Sequence, residues 1–200
     1  LKKFVMCVVL MGVSGAGKTL IGQKLATAIG GEFFDGDDSH PAANVAKMRA
    51  GLPLDDADRL PWLRRLRALI EEREDRRNGA RSGSGFQTEA SKTGSAEAGA
   101  SEGCAPAITP PPVILACSAL KASYREILAP AGDPRVRFVY LTGSFEQIAQ
   151  RLRERRGHFM PESLLRSQFE ALEPPAEALS VDIGQSPEAI VAQIRHALKI

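Results

Sequence analysis

Long apolar runs are missing from this sequence. No stretch reaches the roughly 18 consecutive apolar residues that a membrane-spanning helix requires, so none is expected to cross a bilayer. An excess of either charge is missing too. Lys and Arg number 26 against 24 Asp and Glu, a net charge of +2, and nothing in that balance calls for a nucleic acid or an anionic membrane as partner. Cysteine is scarce: Cys7, Cys104 and Cys117 are odd in number and lack metal-ligand spacing. Cys7 and Cys117 lie in apolar, strand-like runs and read as small core residues, which suits a reducing compartment. A chain of 200 residues is long enough for one domain with a substantial core. The expectation is a soluble, cytoplasmic protein.

What is present is concentrated near the amino end. An apolar run, Phe4 to Met11, leads into Gly12-Val13-Ser14-Gly15-Ala16-Gly17-Lys18-Thr19, and a helical pattern follows from Leu20 to Ile29. Lys2-Lys3 before an apolar run imitates a secretory signal, but the supposed cleavage region would be the glycine-rich stretch itself. Leu1 in place of an initiating Met suggests a trimmed amino terminus. The pattern G-x-x-x-x-G-K-[ST] between a strand and a helix is the P-loop in its required context. Its glycines let backbone N–H groups turn inward, and with the positive end of the next helix they form a seat for phosphate. Lys18 is expected to reach the β- and γ-phosphates of a nucleoside triphosphate, and the Thr19 hydroxyl to ligate Mg²⁺.

The rest of the chain alternates strands with helices. Residues 4–11, 32–35, 113–117, 136–141 and 179–183 read as strands. Residues 18–29, 42–50, 145–155, 162–172 and 187–198 read as helices, with a shorter one ending at about Leu128. The acidic run Asp55 to Arg59 leads into a further helix, with Leu60, Leu63, Leu66, Leu69 and Ile70 at helical spacing and Pro61 tolerated in its first turn. Residues 78–112 are rich in Gly, Ser, Ala, Thr and Pro and poor in large apolar groups. They read as a flexible, low-complexity surface insertion within one domain spanning 1–200. The fold expected is α/β: a three-layer αβα P-loop architecture around a five-stranded parallel sheet. Loops after Met11, Asp35 and Cys117 follow strand ends and should converge on one cleft.

A P-loop alone does not say what is done with the nucleotide. The D-x-x-G and N-K-x-D motifs of a GTPase are absent, and the strand ending Ala116-Cys117-Ser118 carries no acid where a Walker B carboxylate usually sits. The available acids are Asp35, Asp37 and Asp38, an arrangement that suits a small-molecule kinase. Asp35 is placed to hold Mg²⁺ through water, and Asp37 to accept a hydroxyl proton. An acidic cluster before Pro41 can also do no more than cap a helix, and the choice among Asp37, Asp38 and no base stays open. The run Arg151 to His158 supplies cations for a phosphoryl group that accumulates charge. Its break at Gly157 reads as a mobile lid spanning about 151–165. Arg59, Lys121, Tyr124 and Arg125 offer positive charge and a hydroxyl where an anionic acceptor binds. Each is singly as compatible with ordinary surface charge. His40 divides between a polar turn residue and a substrate contact, and Trp62 between core and cleft wall.

These residues resemble the gluconate kinases, within the shikimate-kinase-like group of P-loop kinases. The matching segments are the P-loop, Asp35 to Pro41, Asn44 with Lys47-Met48, and Gly51 to Leu63. They continue with Ala116-Cys117-Ser118-Ala119-Leu120-Lys121-Ala122-Ser123-Tyr124-Arg125, Gly157-His158-Phe159-Met160-Pro161 and Leu165 to Pro175. The resemblance covers nearly the whole chain outside 78–112, where the family usually connects more briefly. It implies ATP-dependent phosphorylation of D-gluconate at its 6-hydroxyl, feeding the pentose phosphate route, by a homodimer with a closing lid. Similarity to the shikimate kinases places Asp35 near Mg²⁺, Asp37 and Arg59 on the acceptor, and Arg155 near the phosphates. His40, Ser118, Lys121 and Arg125 are further candidates for the acceptor site, and Arg151 for the nucleotide site. Two other readings remain at this stage: a related kinase for shikimate or a nucleoside monophosphate, and a nucleotide-sensing protein without turnover.

Overall fold

The computed structural model describes residues 7–82, 111–154 and 161–200, and their side chains except at 74–82. Residues 83–110, which make up most of the anticipated insertion, and residues 155–160, the middle of the anticipated lid, lie outside the described residues.

Five strands form one parallel sheet: β1 (Cys7–Met11), β2 (Glu32–Asp35), β3 (Val113–Ala116), β4 (Val136–Thr142) and β5 (Leu179–Asp182). Their spatial order is β2-β3-β1-β4-β5, so β1 is central and carries the phosphate loop to the middle of the sheet's carboxyl edge. Val9 pairs with Leu115 on one side and Phe138 on the other. Every residue of β1 is buried, as expected of a Val-rich strand covered on both faces.

The helices are α1 (Lys18–Ile29), α2 (Ala42–Arg49), α3 (Asp56–Ser82), α4 (Ala122–Leu128), α5 (Phe145–Glu154), α6 (Glu162–Ala171) and α7 (Pro187–Leu198). The two-residue period of a strand divides the core. Val8 and Leu10 join Ile21 and Leu25 of α1, Ile148 of α5 and Ile194 of α7. Cys7, Val9 and Met11 join Trp62, Leu66 and Ile70 of α3 and Leu128 of α4. Cys7 and Cys117 are both buried and unpaired, and burial pushes each thiol up to about 12. They pack as small apolar residues.

The structure moves two boundaries. Helix α3 begins before Pro61. Asp55 and Asp58 form a reciprocal capping box: the Asp58 N–H donates to Asp55 Oδ1 at 2.8 Å, and the Asp55 N–H to Asp58 Oδ2 at 3.0 Å. Those bonds satisfy amide donors that the first turn leaves free. Pro61 therefore falls inside the helix, where it withholds one backbone donor from the ladder. At its other end α3 reaches Ser82, so residues 78–82, read from composition as the start of the insertion, continue the helix.

Candidate active site

The phosphate loop is shaped before any ligand arrives. Gly12 has φ 139° and Gly15 φ 85°. A Cβ at Gly12 would stand 2.7 Å from the Leu141 carbonyl oxygen, and one at Gly15 2.8 Å from Leu152 Cγ. Both positions thus need glycine for backbone angle and for space. The loop is also laced to β3: Gly12 N–H donates to the Ser118 carbonyl at 3.2 Å, and Cys117 N–H to that of Leu10 at 3.0 Å. Lys18 folds back beneath the loop, its Nζ donating to the carbonyls of Gly12 and Val13, each at 3.0 Å. Burial pushes this ammonium below the ordinary lysine value, while Asp37, Cys117 and Asp35 pull it back up. The free amides of the first turn of α1, the helix dipole and this lysine point to one kind of ligand, an anion.

Beside the loop, the Thr19 hydroxyl donates to Asp35 Oδ2 at 2.7 Å. Asp35 stands at the end of β2 and caps the following 3-10 turn, Gly36–Ser39, by accepting from the Asp37 N–H at 3.1 Å. A hydroxyl and a carboxylate at the rim of a phosphate seat are hard oxygen donors. Mg²⁺ is usually held by one or two such protein groups, with phosphate and water completing the octahedron, so the pair fits the ion. Asp37 itself is exposed.

Behind Asp37 the chain builds a rigid wall. His40 stacks on Trp62, with ring centroids 4.2 Å apart and planes inclined by 14°. The buried Trp62 indole donates to the Gly36 carbonyl at 2.7 Å, which ties α3 to the turn that carries Asp37. Asn44 Nδ2 lies 3.3 Å from His40 Nδ1 and donates to the Asp58 carbonyl at 2.8 Å. Because the amide nitrogen donates, Nδ1 accepts, which assigns the ring proton to Nε2. Nε2 is 4.0 Å from Asp37 Oδ1.

A second cluster stands where α3 meets the loop after β3. Asp56 accepts from Lys121 Nζ at 2.8 and 3.0 Å and from the Tyr124 hydroxyl. Arg59 lies 5.7 Å from the Tyr124 ring centroid and donates to its hydroxyl at 3.4 Å. Four groups of mixed sign thus hold one another in place. The hydrogen bond from Lys121 and that from Tyr124 hold the Asp56 carboxyl below the usual carboxylate range.

A cleft of about 500 Å³ joins Ser14 to Thr19 with Asp35, Asp37 and Arg151. Arg151 also donates to the Ile183 carbonyl at 2.6 Å. The same cleft is also lined by the apolar Leu152, Ile183, Pro187 and Ile190, with Gln185 among them. The anticipated phosphate-loop residues, Thr19, Asp35, Asp37 and Arg151 are therefore together. His40, Arg59 and Lys121 belong to the two adjoining clusters. Ser118 contributes its carbonyl to the loop's lacing. Arg125 does not line this cleft. Its guanidinium donates to the carbonyls of Ala119 and Leu120 at 3.1 and 3.0 Å, bracing a loop in which Ala119 has φ 42°. Arg155 lies outside the described residues.

Sequence reasoning missed Gln168 of α6. Its Oε1 accepts from the Ser14 N–H at 2.7 Å and its Nε2 donates to Ser14 Oγ at 3.1 Å. The signal available was a glutamine three residues after the buried Leu165 and four before the partly buried Leu172, a polar group in the apolar stripe of a helix.

A parallel sheet with a phosphate loop after its central strand, a magnesium-compatible oxygen pair and an exposed acid beside it define a P-loop kinase for a small acceptor. A thermosensitive gluconokinase of Escherichia coli K12 is 40% identical over 198 residues, covering 95% of this chain and 86% of that one. With such a relative, the chain belongs to the gluconokinase family. A crystal structure of a gluconokinase from Sinorhizobium meliloti 1021 superposes with a TM-score of 0.73 at 35% identity, over 98% of this chain and 93% of the other. An unliganded sugar kinase from Janibacter sp. HTCC2649 superposes with 0.74 at 35% identity, over 98% and 95%. No family model matches the chain.

Proposed function

We propose that this chain phosphorylates D-gluconate at its 6-hydroxyl, forming 6-phospho-D-gluconate and ADP from ATP. The observation that carries this reading is the exposed Asp37 carboxylate on the lip of the cleft that Lys18 and the Thr19–Asp35 pair share. In the step proposed, the acceptor oxygen forms a bond to the γ-phosphorus as the bond to the β,γ-bridging oxygen breaks. Asp37 accepts the hydroxyl proton. Lys18 and the loop amides meet the charge spread over the phosphoryl oxygens, with Arg151 at the same cleft; the family resemblance adds Arg155 to that role. Thr19 and Asp35 would hold Mg²⁺, which would supply positive charge to the triphosphate. Arg59 and Lys121 face the acceptor's carboxylate, while His40 and Trp62 keep the Asp37 turn in position. Leu152, Ile183, Pro187 and Ile190 suit the nucleotide base, which needs an apolar wall.

Relatives named gluconokinases support the choice of acceptor. The family resemblance also implies a homodimer, a lid and a cytoplasmic setting, which this reading includes. No helix among the described residues is long and apolar enough to cross a membrane.

A coupled assay of ADP release over gluconate, other sugar acids, shikimate and AMP tests the function. Turnover on gluconate is expected. Turnover on shikimate or AMP with none on gluconate would overturn the acceptor, and ATP binding without ADP release on any acid would leave a nucleotide-binding protein. Light scattering at micromolar concentration tests the dimer.

A further inference from the structure

Ser14 and Gln168 are 154 residues apart, yet the side chain of Gln168 meets both the backbone N–H and the hydroxyl of Ser14. The match is chemical as well as geometric. The Ser14 N–H can only donate, so the carboxamide oxygen must face it, and the amide nitrogen is then turned to the hydroxyl. Leucine offers neither group.

The helix that presents Gln168 is fixed at both ends of its reach. Leu165 is buried, and Phe169 meets Phe145 edge-on with centroids 5.4 Å apart. Beyond α6, Glu173 N–H donates to the Leu120 carbonyl at 2.9 Å, and Glu173 Oε2 accepts from the Ala122 N–H at 2.6 Å. Those bonds land on the loop after β3, whose Lys121 belongs to the cluster with Arg59 and Asp56. One short stretch of chain therefore grips the phosphate loop with one side chain and the loop after β3 with the next polar group it presents there.

We propose that Gln168 is a positioning residue for nucleotide binding: it holds the tip of the phosphate loop in its binding geometry by clamping Ser14 to a helix docked on the acceptor-side loop. The inference rests on the reading that this loop takes a nucleoside triphosphate. A loop whose tip is already fixed loses less conformational entropy when the phosphates bind. Removing the clamp leaves Ser14's amide and hydroxyl without their partners and lets the tip sample other geometries, so the cost falls on nucleotide affinity. Acceptor affinity at saturating ATP should change little, because the Glu173 contacts remain.

The test uses the full chain carrying Gln168→Leu, Ser14→Ala or both. The Kd of a non-hydrolysable ATP analogue with Mg²⁺ is read by calorimetry, and KM values for ATP and gluconate by ADP release. The Gln168→Leu change should weaken analogue binding and raise the ATP KM by about five- to twentyfold, with kcat and the gluconate KM within about twofold. Ser14→Ala, which removes only the hydroxyl half, should show a smaller effect in the same direction. The double variant should resemble Gln168→Leu alone, since the two residues act as one unit. A folded Gln168→Leu protein with unchanged analogue Kd overturns the proposal. Should that variant fail to fold, an unchanged Kd for Ser14→Ala overturns it instead. Calorimetry keeps the two readings apart: a wild-type protein that binds the analogue but spares gluconate defeats the acceptor assignment and leaves the clamp testable.

Discussion

Thr19 donates its hydroxyl hydrogen to Asp35 across 2.7 Å, joining the first turn of α1 to the end of β2. The two residues come from neighbouring elements on the same sheet edge, and neither has another side-chain reason to face the other. The bond keeps two oxygens at the rim of the phosphate seat, where a cation bound to a triphosphate would meet them.

Changing Asp35 to Asn tests that arrangement. The amide oxygen keeps an acceptor for the Asp37 N–H, and the amide nitrogen can donate to the Thr19 hydroxyl with the sense of that bond reversed, so the turn should hold its shape. It lacks the charge that draws a hard divalent cation. The Mg²⁺ concentration for half-maximal rate is expected to rise by about tenfold, while activity recovers in part at high Mg²⁺. A titration of rate against free Mg²⁺ at fixed ATP measures it, and an unmoved midpoint would remove Asp35 from the metal site.

Asp37 is the other acid of this turn and has a different task. Replacing it with Asn removes a proton acceptor while preserving size, and its exposure leaves little packing to disturb. The kcat for gluconate should fall by about 10²-fold or more, with the ATP KM little changed. A rate near that of the unaltered protein would shift the role to Asp38 or dispense with a base.

Much of this was legible in the sequence, for physical reasons that differ by element. Strand β1 and the loop after it stand out because an uninterrupted apolar run and three clustered glycines admit few alternatives. The start of α3 was misplaced because Pro61 marks a first turn so often. Here the pairing of Asp55 with Asp58 sets the cap upstream, and an Asp where Glu or Gln is more usual hid it. The strand order was not readable, since alternating strands and helices are compatible with several orders. Arg125 and Lys121 look alike in sequence. Only the left-handed backbone at Ala119, which exposes two carbonyls to be braced, turns Arg125 inward. The Gln168 clamp is invisible locally because its two halves are a whole domain apart in the chain.

Asp56 gives a third test, of acceptor recognition. It holds Lys121 and the Tyr124 hydroxyl, and Tyr124 in turn receives a hydrogen bond from Arg59. Without the carboxylate both cations gain freedom, and an anionic acceptor must order them on binding. Asp56→Asn should raise the gluconate KM by about three- to tenfold and leave the ATP KM alone. Equal effects on both substrates would mean that the cluster supports the fold and not the acceptor.

The last prediction concerns pH and follows from His40. Its side chain is packed on Trp62 and accepts from Asn44, so protonation would bury a charge and cost the Asn44 contact. Burial lowers its pKa from the ordinary 6.5, with Asp37 opposing and Arg59 adding to the shift. In the unfolded chain the same ring takes its proton near 6.5. Below that pH the unfolded state binds more protons than the folded one, so stability is lost as pH falls through that value and is retained above it. A His40→Gln variant has no ring to protonate. Between about pH 6.5 and 5.5 the melting temperature of the unaltered protein should therefore drop more steeply than that of the variant, and the two slopes should match above pH 7. Parallel slopes throughout would show that His40 takes up its proton as readily in the folded protein as in water, and the stacked, accepting ring described above could not then be the state it occupies.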